Sequence, residues 1–383
     1  MRAAAALALV VALGGVARAQ PQRLDPSTLP AASVEPPQIV LLTFGVGPRI
    51  FEKFGHAALC LYYDQSREEP TCFNYGVTDF NEGSAMVWHF LRTEQKFWVE
   101  PESWSAMVRF YRAEDRDIWM QVLPLPPDQA RAIEQKLLYD IQEDHKYYFY
   151  DHFFDNCTTR LRDMIDRATG GKLSDGAGVA YPLTFREIGH SGLSEFPFMT
   201  ALADYVLGRQ LDDTPTLWQA MFHPDVLRQQ VEDKLHVPAR RLYKRRGPAF
   251  PSDGPTDRLP ALGIALVFAL PLLVATWRRR FQRLALAWAT LYLALGGVVI
   301  WGLVLVSSIP GVRWNEAVFV LMPLDVVLPL LRPARRRTYA RVRVIGLALV
   351  SALVAIGIFH QPLWIPILSA FMPLAIVAFS EPA

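Results

Sequence analysis

Cysteine is scarce in this chain of 383 residues: only three are present, Cys60, Cys72 and Cys157. None is spaced as CxxC and no HExxH run occurs, so the usual zinc frameworks are missing and no metal site is expected. A Gly-rich phosphate loop and a GxSxG elbow are absent too, which removes nucleotide cradles and the serine-hydrolase elbow; no cofactor is expected. Charge of one sign is also lacking. Lys and Arg total 39 against 37 Asp and Glu, a net charge of +2, so nothing points to nucleic acid as a partner. There is no low-complexity tract and no internal repeat.

What the chain has in quantity is apolar residues, 51% of the total. Residues 1–19 read as a secretory signal: Arg2, an apolar run too short to span a bilayer, then Ala17-Arg18-Ala19 as the cleavage site. No cysteine follows that site, so the chain is not expected to be a lipoprotein itself. Residues 20–37, rich in Pro, Ser and Ala, read as a linker, and 38–250 as an exported domain. From 259 to 379 five hydrophobic segments follow, at 259–277, 284–306, 316–331, 343–360 and 362–379; the third carries Pro323, Asp325 and Pro329 and reads as broken or tilted. Arginines fill the first and third connections, at 278–283 and 332–341. Basic loops stay cytoplasmic, so this reading predicts a multi-pass protein of the bacterial cytoplasmic membrane, with the exported domain on the periplasmic side and the C-terminus inside.

Within the exported domain, residues 39–44, 55–63 and 71–77 read as strands, the last two as a hairpin. Alternation turns His56, Ala58, Cys60 and Tyr62 to one face. A symmetric turn places Asn74 opposite Cys60, on the face of His56. Another strand is predicted at 118–123 and a helix at 128–143. The aromatics of 84–112 read as core, with a lipid- or acyl-binding wall as the alternative. The basic run Arg240–Arg246 reads either as a solvated face or as a headgroup-attracting patch.

The segment 147–166, YYFYDHFFDNCTTRLRDMID, carries the chemistry. Asn156 is an N-cap, so Cys157 opens a helix whose positive end favours thiolate. A buried structural thiol has the same outward signature. An odd cysteine count in an exported chain leaves one thiol free. Cys60 and Cys72 either pair or are simply buried; if they pair, Cys157 is the free one. A helix laid across the His56 face would bring Cys157 within hydrogen-bond reach of that histidine, with helix-start amides as the oxyanion hole. Asn74 is the candidate to orient the imidazole, and His152 is the second candidate base.

The segments FGHAALCL, FNYGVTDF, YDHFFDNCTTRLRD and LGRQLDDTPTLWQAMFHPDVL resemble the Lnb-type periplasmic domain, over roughly residues 38–236. The resemblance implies an α+β, circularly permuted papain-like (NlpC-like) fold followed by an α-helical membrane domain. It implies Cys157 as nucleophile and His56 as base. Members with such a membrane region resemble bacterial lipoprotein N-acyltransferases, which implies a phospholipid acyl donor, a lipoprotein acceptor and contact with the lipid bilayer. Arg160 and Asp163 match the motif and are expected to brace the helix as an ion pair. Ile309-Pro310 and Asp325 depart from the family pattern, which has His-Pro and Asn there. A cell-wall cysteine amidase or peptidase, and a non-enzymatic membrane-anchored binding module, are the alternatives.

Overall fold

Three β-prone apolar stretches form adjacent antiparallel strands: β1 (Gln38–Phe44), β2 (His56–Tyr62) and β3 (Thr71–Val77). The computed structural model describes residues 35–47, 52–64, 69–79, 84–193, 197–248 and 259–379. The expected signal peptide and most of the linker lie outside the described residues. With β4 (Lys96–Ser103), β5 (Ile118–Val122), β6 (Tyr147–Phe149) and β7 (Arg240–Tyr243), the strands make one sheet in the order β6-β4-β3-β2-β1-β5-β7.

The central strands read as continuous apolar runs because the sheet is covered on both faces. Helices α1 (Ser84–Leu91), α2 (Trp104–Ala113), α3 (Pro127–Asp140) and α4 (Cys157–Ala168) follow in chain order. On one face Leu41, Leu59, Leu61 and Phe73 pack with Leu137 of α3 and with Leu161 and Ile165 of α4. On the other, Leu42, Phe44, Ala58 and Cys60 pack with Met107 and Tyr111 of α2. Each such fully buried aliphatic or aromatic side chain contributes about 1.5–3 kcal/mol of transfer free energy.

The hairpin register differs from the symmetric expectation. Cys60 pairs with Cys72 and Leu59 with Phe73, so Asn74 is not opposite Cys60. The slip is by two residues, and because side chains alternate with period two, Asn74 keeps the face of His56. The same register puts the two sulfurs side by side, and Cys60–Cys72 is a disulfide. Cys157 is then the free thiol among the cysteines.

Two other expectations change. The aromatic stretch divides: Phe97 and Tyr111 are core residues, whereas Trp88 is 48% exposed. The basic run Arg240–Arg246 begins as the edge strand β7, paired with β5. Arg241 lies over the Trp119 ring at 4.0 Å, beside Arg228 at 4.7 Å. Charged residues on an edge discourage further strand pairing.

The described chain divides into two compact units, and residues 184–213, expected inside 38–250, cluster with the C-terminal helices. The sheet unit runs to Leu183 and resumes at Thr214. In the helical unit, two helices rather than five are long and apolar enough to cross a membrane among the described residues: Gln282–Val306 and Pro333–Ala355. The physical reasons are local. Pro323 and Pro329 hold the third segment to a 3₁₀ stretch, Pro323–Leu330. The fifth is the 16-residue helix Trp364–Phe379, shorter than a hydrocarbon core of ~30 Å requires at 1.5 Å per residue. The first is the helix Leu259–Trp277, which carries Pro271 in its interior.

A polar seam ties residues 184–213 to the loops of their own unit. Asn315 Nδ2 donates to the carbonyls of Tyr205 (2.8 Å) and Val206 (2.9 Å), and Gln361 Nε2 to that of Asp204 (3.1 Å). Arg209 N donates to Trp314 O at 2.9 Å, and a Cβ on Gly208 would stand 2.2 Å from that oxygen. Asp325, which departs from the family pattern, is fully buried and accepts from Arg343 (3.0 Å) and Tyr339 (2.8 Å). A buried acid with those two partners is compensated charge.

Replacing Cys60 and Cys72 together by alanine opens a short cross-strand loop and is expected to cost the sheet unit about 2–4 kcal/mol. A non-reducing thermal midpoint equal to that of the unaltered chain would contradict this.

Candidate active site

Asn156 determines where the cysteine helix starts. Its Oδ1 accepts the amides of Thr158 and Thr159, both at 2.9 Å, and Thr159 Oγ1 accepts the Asn156 amide at 2.8 Å, a reciprocal capping box. Its Nδ2 donates to the carbonyls of His152 (2.8 Å) and Phe222 (3.0 Å). Cys157 therefore occupies the first helical position, where its own amide lies outside the helical ladder and is not used by the cap.

His56 opens β2. Gly55 before it has φ +78°, and a Cβ there would sit 2.6 Å from Phe44 O, so the turn into the strand requires glycine. The imidazole is stacked over Phe44 (6.0 Å) and Tyr111 (6.1 Å). Its Nε2 meets Asn74 Oδ1 at 3.0 Å. The Cys157 sulfur takes hydrogen bonds from the His56 ring and the Ala57 amide, and Thr158 Oγ1 stands 3.7 Å away. With Nε2 occupied by Asn74, Nδ1 is the nitrogen left for sulfur. The structure thus brings together Cys157, His56 and Asn74.

The route differs from expectation. Helix α4 packs on the Ala57–Leu59–Leu61 face, opposite the face that carries Ala58 and Cys60. Cys157 and His56 meet at the end of the sheet, where each is the first residue of its element. There β3 has a register shift between Tyr75 and Val77, with Gly76 at φ +91°. The missing side chain leaves the sulfur's approach open: a Cβ on Gly76 would touch Cys157 Cβ and Tyr148 Oη, each at 3.8 Å.

Electrostatics couple the pair. Burial pushes the Cys157 thiol up, but the His56 charge and the hydrogen bonds from His56, Thr158 and Ala57 outweigh it, and the thiol lies below the ordinary range. Burial likewise weakens the His56 base, Cys157 and the Asn74 hydrogen bond strengthen it more, and Arg116 opposes them; the net shift is upward. Both shifts favour thiolate–imidazolium and belong to the couple rather than to either residue.

Other sequence candidates fall elsewhere. His152 sits among Phe54 (4.3 Å), Phe153 (4.9 Å) and Phe222 (5.6 Å). Burial and the nearby His223 push it down to about 4, which makes it a neutral core residue near pH 7. Arg160 does not pair with Asp163: it grips Asp155 through two hydrogen bonds, 2.6 and 2.8 Å, while Asp163 pairs with Arg162. The Arg160 guanidinium also lies 3.7 Å from the Tyr148 ring centroid.

Two neighbours of the site were not anticipated. The Tyr148 hydroxyl is buried without a hydrogen-bond partner among the described residues. Glu102 Oε2 accepts from Asn74 Nδ2 at 2.7 Å. The signal for Glu102 was a second acid, two residues after Glu100, in the strand KFWVEPES; for Tyr148 nothing in the aromatic run distinguished it from its neighbours.

Residues 27–191 match the family described as the Lnb N-terminal periplasmic domain. No curated protein and no solved structure matches the chain. The periplasmic domain and the two long apolar helices together mark a membrane protein with a periplasmic N-terminal domain.

Because the Cys60–Cys72 disulfide leaves Cys157 as the reporting thiol, iodoacetamide reads the couple directly. In the unaltered chain alkylation is expected to persist below the ~8.5 of an ordinary thiol, and His56→Ala to slow it at pH 6.5 by at least about tenfold. Equal rates in the two proteins would mean that the histidine does not sustain the thiolate.

Proposed function

We propose, from the match of residues 27–191 to the Lnb N-terminal periplasmic domain, that the protein is a membrane-bound lipoprotein N-acyltransferase working through a cysteine thioester. The observation that carries the reading is the hydrogen-bonded Cys157–His56 couple at a helix start, backed by Asn74. The order of the parts, histidine strand before cysteine helix, fits a circularly permuted papain-like (NlpC-like) core, which is the fold proposed for the sheet unit. The arginines clustered at the starts of Gln282–Val306 and Pro333–Ala355 support a multi-pass topology with both helix starts on the cytoplasmic side.

In the first half-reaction the Cys157 thiolate attacks an ester carbonyl of a membrane phospholipid. The oxyanion forms beside the unused Cys157 amide and the unpartnered Tyr148 hydroxyl, two donors that suit it. The ester C–O bond then breaks, and the His56 imidazolium delivers its proton to the departing glycerol oxygen, so lysophospholipid leaves and an S-acyl cysteine remains. In the second half the α-amine of a diacylglyceryl-modified lipoprotein cysteine attacks the thioester. Neutral His56 takes the proton lost by nitrogen, the C–S bond breaks, and the thiolate–imidazolium couple is restored. Donor and acceptor are both lipid-anchored, so confinement to one membrane supplies the effective concentration that tight binding would otherwise have to provide.

In cells lacking their own N-acyltransferase, the unaltered chain is expected to restore triacylated lipoproteins, measured by intact mass, and Cys157→Ala to abolish this. A hydroxylamine-sensitive acyl group from labelled phospholipid is expected on Cys157. Restored triacylation by Cys157→Ala would end the thioester mechanism. Release of peptide from purified cell wall, with no phospholipid-derived acyl group on Cys157, would move the site to amide hydrolysis.

A further inference from the structure

The buried acid behind Asn74 has no part in the scheme above. Glu102 lies on β4, where the register sets Cys72 opposite Glu102 and Asn74 opposite Glu100. Glu102 therefore shares the face of Asn74 and stands diagonal to it. Glu100, directly across, accepts the Trp98 indole N–H at 2.6 Å, whereas Glu102 takes the Asn74 amide at 2.7 Å. Glu102 is 6% exposed, and its other oxygen, Oε1, is buried without a hydrogen-bond partner among the described residues. A desolvated carboxyl group half satisfied in this way destabilises a fold, so packing gives no account of its place.

We infer that Glu102 is a positioning residue of the thiol site, fixing the Asn74 amide, and through it the His56 tautomer, while its charge supports the imidazolium. This rests on the reading of Cys157 and His56 as the reacting couple. The chain of hydrogen bonds has one consistent direction when Glu102 is ionised. A carboxylate only accepts, so Asn74 must turn its Nδ2 to Glu102 and its Oδ1 to His56. His56 must then carry its hydrogen on Nε2, which leaves Nδ1 to take the Cys157 proton.

The groups that face Glu102 decide when it is charged. Asn74 on β3 donates to it, His56 on β2 attracts it when protonated, Glu100 on its own strand repels it, and Tyr111 on α2 lies within its field. Burial is the largest influence and pushes Glu102 up to about 7, against the pull of Asn74 and His56. Its support for the imidazolium is thus present above neutrality and fades as pH falls.

The test is the pH profile of Cys157 alkylation in the full chain in detergent, with Glu102→Gln, which keeps the shape and removes the charge. In Glu102→Gln alkylation is expected to be about tenfold slower above neutrality, equivalent to one pH unit in the thiolate–imidazolium balance, and the two profiles to converge as pH falls and Glu102 of the unaltered chain is protonated. Glu102→Asp, charged but too short to hold Asn74 in the same way, is expected to fall between. A Glu102→Gln profile that superimposes on the unaltered one overturns the inference, whatever the variant does to thermal stability. Should Glu102→Gln not fold, the unaltered chain still answers by NMR of labelled histidine. His56 is expected as the Nε2–H tautomer once deprotonated, with a second inflection near pH 7; absence of both overturns it. None of these measurements uses lipid. A failure of phospholipid to acylate Cys157 would therefore strike the proposed function and leave the Glu102 result standing.

Discussion

One side chain, Asn156, controls where the site can exist. It closes the helix start by accepting two amides, and it ties that start to the His152 carbonyl and to Phe222 far along the chain. Every strong hydrogen-bonding valence of the amide is used, so the position of Cys157 follows from a satisfied buried group rather than from the cysteine itself. The thiol's neighbourhood then follows: the sulfur faces the end of β2, and the Ala57 amide meets it.

Much of this was legible from residue types. Cys157 behind an N-cap and His56 after a glycine are local signals. Asn74 was placed on the right face by period-two alternation alone, and a register error of two residues did no harm because it preserves parity. What failed was tertiary. Strand periodicity says which residues share a face but not which face a later helix covers, so α4 was laid on the wrong side. Both elements nevertheless meet at the sheet's end, where the distinction between faces disappears. Arg160 was matched to Asp163 by helical spacing, yet the stronger partner, Asp155, precedes the helix. Glu102 was hidden because its meaning comes from a β3–β4 register that no local pattern encodes.

The membrane region illustrates another limit. Hydropathy counts apolar residues but does not register that two prolines shorten the third segment to a 3₁₀ stretch. Nor does it separate a 25-residue helix from one of 16 residues. The charged pair Asp325–Arg343, which looked like a departure from a family pattern, is internally balanced and holds that short stretch to Pro333–Ala355.

The seam around Gly208 bears on how this protein can be divided. Its apparent domain boundary, ahead of residue 259, is a boundary in hydropathy only. A soluble fragment cut there would keep residues 184–213 while losing Asn315, Gln361 and the Trp314 carbonyl that satisfy them. The carbonyls of Asp204, Tyr205 and Val206 would be stripped of these donors. The Cys157–His56 couple and the helical unit are threaded on one chain in such a way that the sheet unit cannot be excised by a single cut.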